Sequence, residues 1–66
     1  MLDRNKIKKI IVNSGLTKRQ VALKAGINVQ NLYNFLNGRL ESMDVNTAFK
    51  LADALDVDIN KFREES

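Results

Sequence analysis

TKRQVALKAGINVQNLYNFLNG, residues 17 to 38, is the stretch that decides the fold. Thr17 and Gln20 form a T-x-x-Q capping box, in which each side chain satisfies the other residue's backbone N–H at a helix start, and Leu16 is placed for a hydrophobic staple. Val21, Ala22 and Ala25 recur at helical spacing as the inward stripe of this second helix, which Gly26 ends. Asn28 caps a third helix, running from about Val29 to Asn37, and Gly38 stops it. Only Gly26 and Ile27 remain for the turn. Two helices joined so tightly must cross steeply rather than lie side by side.

Outward from this pair the apolar spacing stays helical, and no stretch alternates with strand period. The first helix runs from about Asp3, its N-cap, to Asn13. Ile7, Ile10 and Ile11 form its inward stripe, Arg4, Lys6, Lys8 and Lys9 its flanks and outer side, and Gly15 a left-handed terminus. After the loop Gly38-Arg39-Leu40-Glu41-Ser42, Asp44 caps a fourth helix. Its apolar sector holds Val45, Ala48, Phe49, Leu51, Ala52 and Leu55, with Asn46, Lys50 and Asp53 opposite. Asp58 caps a last short helix carrying Ile59 and Phe62, and the tail Arg63-Glu64-Glu65-Ser66 is expected to fray. There is no repeat, linker or proline, so residues 1–66 read as a single all-α domain.

A chain of 66 residues buries only about 60% of the surface its unfolded form exposes, which makes support from a second copy or from DNA the default expectation. The chain has no Cys and no His, which excludes disulfides, thiolate or imidazole metal ligands, a Cys nucleophile and a His base. The carboxylates fall on capping and solvent-facing positions and so small a core leaves little room for a pocket, so no enzyme, cofactor or small-molecule ligand is expected. No apolar run suits a membrane span or a signal peptide, and a cytoplasmic home is expected. Net charge is only +3 but uneven. Up to Arg39, eight Lys/Arg face the single acid Asp3; from Leu40 on, three Lys/Arg face seven acids. Such segregation suggests one basic face for a polyanion, with the acidic remainder turned away.

The third helix carries the functional signal. At about 100° per residue, Leu32, Phe35 and Leu36 cluster as its buried stripe. Opposite them lie Val29, Gln30, Tyr33, Asn34 and Asn37, a face rich in amides and without charge. A surface helix with no task would more often carry Glu, Lys, Arg and Ala there. Amides suit base reading because Asn or Gln can donate and accept at once on adenine, and Val29 offers an apolar contact for a thymine methyl. Lys18 and Arg19 open the second helix, where backbone N–H groups favour a phosphate.

Gly15-Leu16-Thr17, Val21-Ala22, Ala25-Gly26-Ile27, Leu32 and Asn37-Gly38-Arg39 together resemble the lambda-repressor/Cro-like (Xre-type) helix-turn-helix family. Asp44 through Leu55 and Val57-Asp58-Ile59 resemble its fourth helix and the start of its fifth, so the likeness covers about residues 5 to 62. It implies a compact five-helix fold and a transcriptional regulator that binds double-stranded DNA, commonly as a homodimer on a palindromic operator. Carried over by position, Val29, Gln30, Asn31, Tyr33 and Asn34 are implied as base-reading residues. Thr17, Lys18, Asn28, Asn37 and Arg39 are implied as phosphate-contacting ones. The near-minimal length resembles a phage Cro-type repressor acting by operator occlusion.

Three departures from the family pattern stand out. Many members pair an Arg of the first helix with a Glu near the end of the third; the corresponding positions are Ile11 and Leu36, which are expected to touch. Asp56 replaces the usual Gly after the fourth helix, so that turn is expected to differ, and Val29 stands where Gln is frequent. Val12 and Leu23 project off the inward stripes as scattered exposed apolar residues or as a protein contact. The alternative function is a helix-turn-helix protein-interaction module, an antitoxin, anti-repressor or complex subunit, whose third helix meets protein.

Overall fold

Every helix begins on a side chain that accepts orphan backbone donors. The computed structural model describes residues 2–63, with α1 at Arg4–Asn13, α2 at Lys18–Ala25, α3 at Val29–Leu36 and α4 at Val45–Ala54, followed by a 3₁₀ turn at Ile59–Phe62. The Asp3 carboxylate accepts from the Asn5 and Lys6 amides, and the Asn28 carbonyl from Gln30 and Asn31. Both halves of the Thr17–Gln20 box are present, at 2.9 and 3.0 Å. Asp44 and Asp58 cap their elements in the same way. Such caps matter because helices this short are marginal on propensity alone.

The helix ends are equally explicit. After α3, Gly38 at φ 83° gives its N–H to Phe35 and Arg39 gives its own to Asn34, the paired bonds of a Schellman stop. After α4 the same pattern recurs, with Asp56 N–H to Asp53 and Val57 N–H to Ala52. Asp56 makes it by adopting φ 57° itself. The turn expected to differ is therefore kept, at the cost of a left-handed non-glycine residue. Asp56→Gly is expected to stabilise the fold by about 1 kcal/mol, seen as a thermal midpoint roughly 4–8 °C higher. An unchanged or lower midpoint in a thermal melt would count against this strain.

The fifth element is a 3₁₀ turn where a fifth helix was expected. Lys61 and Arg63 bond back three residues, to Asp58 and Asn60. The chain is then captured before an α-turn can form: Asp3 N–H donates to the Phe62 carbonyl at 2.6 Å and Leu2 bridges to Arg63. Lys6 Nζ donates to the Arg63 carbonyl at 2.9 Å. Arg63, expected to fray, is thus anchored, whereas residues 64–66 lie outside the described part.

Ile7, Ile11, Val21, Leu32, Phe35, Leu36, Leu51 and Phe62 share one buried core, with α2 packed against both α3 and α4. Ile11 and Leu36 are both interior, apolar side chains where the family pattern has an ion pair. The α4 sector is narrower than its sequence. Ala48, Leu51, Ala52 and Ala54 are buried and Leu55 is half-buried, but Val45 and Phe49 remain 66% and 49% exposed. At about 100° per residue these two lie at one edge of the apolar arc, beyond the reach of the neighbouring elements.

Candidate nucleic-acid interface

The buried stripe of α3 fixes what its other side presents. With Leu32, Phe35 and Leu36 inside, Gln30, Tyr33 and Asn34 fall together in the outward sector, Gln30 exposed and the other two half-buried. Gln30 Nε2 donates to Asn34 Oδ1 at 3.2 Å across one helical turn. Val29 and Asn31 stand on the two margins of this sector. Val29 is half-buried against the core. Asn31 is exposed and lines a shallow cleft with Leu40, Met43, Asp44 and Thr47.

Cations flank the sector. Lys18 Nζ lies 5.9 Å from the centroid of the Tyr33 ring, within cation–π range, and so links the start of α2 to the outward side of α3. At that start the capping box takes up the Thr17 and Gln20 amides, leaving those of Lys18 and Arg19 aimed out of the helix. At the far end Asn37 is the exposed C-cap of α3 and Arg39 is exposed one residue after the Gly38 turn. Thr17 and Asn28 serve as caps through oxygens that accept. The Thr17 hydroxyl proton and the Asn28 NH2 are left as donors. No acid occurs anywhere from Arg4 to Leu40, so no carboxylate within the segment opposes the cations that flank the sector.

One residue of consequence escaped the reading of the sequence. Arg4, assigned to the flanks of the first helix, reaches across to the end of α3. Its Nε donates to the Phe35 carbonyl at 2.6 Å and its Nη2 to the Leu40 carbonyl at 3.0 Å. Its guanidinium carbon lies 5.2 Å from the centroid of the Phe35 ring. A cation at a helix C-terminus meets carbonyls that lack intrahelical partners and the negative end of the dipole. Arg4 therefore ties α1 to α3 and to the loop carrying Arg39, a tie that Ile11 and Leu36 cannot supply as an ion pair. Arg4→Met is expected to lower stability by about 2 kcal/mol, because charge-assisted bonds to carbonyls are stronger than neutral ones. A urea midpoint equal to that of the unsubstituted chain would remove Arg4 from this role.

No helix among the described residues is long and apolar enough to cross a membrane. Neither the curated proteins nor the solved structures compared with the chain gave a match. A family model for the Cro/C1-type HTH DNA-binding domain matches residues 6–61, a span that takes in α2, the tight turn, α3 and α4. With capped helices, a glycine turn and an acid-free outward sector in place, the chain belongs to the Cro/C1-type helix-turn-helix family of DNA-binding domains.

Proposed function

We propose that the protein is a sequence-specific transcriptional regulator of the Cro type, a phage repressor that lays α3 in the major groove and occludes its operator. The observation that carries this reading is the uncharged outward sector of Gln30, Tyr33 and Asn34, bracketed by Lys18 and Arg39 in a segment free of acids. Amides and a tyrosine read base edges, whereas the cations and caps hold phosphates and set the register. In this reading Val29, Gln30, Asn31, Tyr33 and Asn34 face bases, Val29 and Asn31 from the margins. Thr17, Lys18, Asn28, Asn37 and Arg39 face the backbone. Two copies in a cytoplasm would sit on a palindrome with their α3 helices in successive major grooves, about 34 Å apart.

Selection of bound sites from random duplexes, followed by footprinting, tests it. The expected result is a palindrome protected over two adjacent turns. A single unpaired half-site would leave the regulator and remove the homodimer; no enriched sequence would remove the regulator itself.

A second reading, a protein-interaction module, is favoured by Val12, Leu23, Val45 and Phe49, large apolar side chains left exposed. Duplex binding that is absent, or indifferent to salt, would favour this second reading, since phosphate contacts carry a steep salt dependence.

A further inference from the structure

The loop that leaves α3 is clamped by a residue of α1. Arg4 Nε donates to the Phe35 carbonyl at 2.6 Å and Arg4 Nη2 to the Leu40 carbonyl at 3.0 Å. These donors share one edge of the planar guanidinium, a rigid fork that fixes how far apart its two partners stand. Between the two carbonyls lie Leu36, which is buried, and Asn37, Gly38 and Arg39, which are exposed. The guanidinium carbon is 4.0 Å from where a Cβ on Gly38 would stand, so the fork rests against the turn itself. We infer that Arg4 is a positioning residue for DNA recognition, holding Asn37 and Arg39 ready for the phosphate backbone. The inference rests on the DNA-binding reading above.

Backbone bonds close this loop only on the helix side. Gly38 N–H goes to the Phe35 carbonyl, and the N–H groups of Arg39 and Leu40 both go to that of Asn34. Beyond them Leu40, Glu41 and Ser42 are all exposed, so little burial anchors the chain as it leaves. A segment built this way opens easily, and ordering it only on contact with DNA would lower affinity. The Arg4 fork supplies that order in advance, because it grips the loop at both ends. A tie serving stability alone has no need to end at Leu40.

The test uses the full chain in the cold, where circular dichroism verifies folding, and the duplex recovered by selection. Arg4→Lys keeps the charge without the fork, and Arg4→Met removes both. Each is titrated with duplex alone and in combination with Arg39→Ala. Either Arg4 substitution should weaken binding about tenfold in the wild-type background. Beside Arg39→Ala the loss should shrink to about twofold, since most of what Arg4 positions is then gone. Losses that multiply would overturn the positioning role and leave DNA recognition intact, because a lower folded fraction, or a phosphate contact made by Arg4 itself, acts regardless of Arg39. A second measurement needs neither DNA nor a folded variant. Nitrogen-15 relaxation of the free wild-type chain should give the backbone of residues 37–40 order parameters of about 0.85, as in a rigid helix. A wild-type loop with values below about 0.6 would overturn the inference. A rigid loop on a wild-type protein that binds no duplex in a salt-sensitive way would overturn the DNA-binding reading, and the role of Arg4 in recognition with it.

Discussion

Phe62→Ala is expected to leave the chain largely unfolded at room temperature, with most of its helical circular dichroism lost. Phe62 is 0% exposed and is among the largest wholly buried side chains. Truncating such a phenylalanine to alanine costs about 3–5 kcal/mol in lost transfer energy and residual cavity. A single core in a chain this small rarely supplies more than about 3–5 kcal/mol in total, so one substitution consumes the margin. The effect reaches the N-terminus as well, because the turn bearing Phe62 is held to α1 through Asp3 and Lys6. A variant with a wild-type helical spectrum and a melting midpoint within a few degrees of the original would show that the 3₁₀ turn is an appendage.

Raising the salt concentration should weaken duplex binding more than any single substitution in the reading sector. If Lys18 and Arg39 each neutralise one phosphate in each of two copies, the logarithm of the affinity falls by about 3.6 per decade of salt, so a change from about 50 to about 200 mM costs roughly 150-fold. Amide contacts to bases and caps release no counterions. Lys18→Ala should therefore flatten the slope by nearly 2 in the paired complex and weaken all sequences alike. Titration of one duplex at several salt concentrations checks this. A slope near zero would mean that the acid-free segment meets something other than a phosphate backbone.

Much of the fold was legible because its signals are local. Asp3, Thr17, Asn28, Asp44 and Asp58 announce helix starts through residue type and spacing, and Gly26 and Gly38 announce stops, with no knowledge of the partner elements required. The outward sector of α3 was legible for the same reason: the buried stripe sets the phase of the helix. What escaped depends on long-range contact. Arg4 bonds to carbonyls at Phe35 and Leu40, far along the chain, and backbone carbonyls leave no trace in residue type. The only hint was negative, the apolar Ile11 and Leu36 at positions where many members of the family pair an Arg with a Glu.

The misplaced features have similar causes. Val45 and Phe49 satisfy helical periodicity, yet whether the edge of an apolar arc is covered depends on where neighbouring elements end. The fifth element read as a helix because Asp58, Ile59 and Phe62 have helical spacing. The Asp3 amide and the Leu2–Arg63 bridge draw the chain out before a full α-turn closes. Asp56 shows the opposite case: the residue type argued for a different turn, but the surrounding packing holds the left-handed conformation regardless.

Side-chain amide resonances give the most direct view of the surface on which the functional account stands. In a nitrogen-15 correlation spectrum of the full chain titrated with duplex DNA, the NH2 signals of Gln30 and Asn34 should shift or broaden strongly. Backbone signals around Lys18 and Arg39 should follow, and those around Val45 and Phe49 should change least. Unmoved Gln30 and Asn34 signals at saturating duplex, with the largest changes elsewhere, would contradict an α3 that meets base edges.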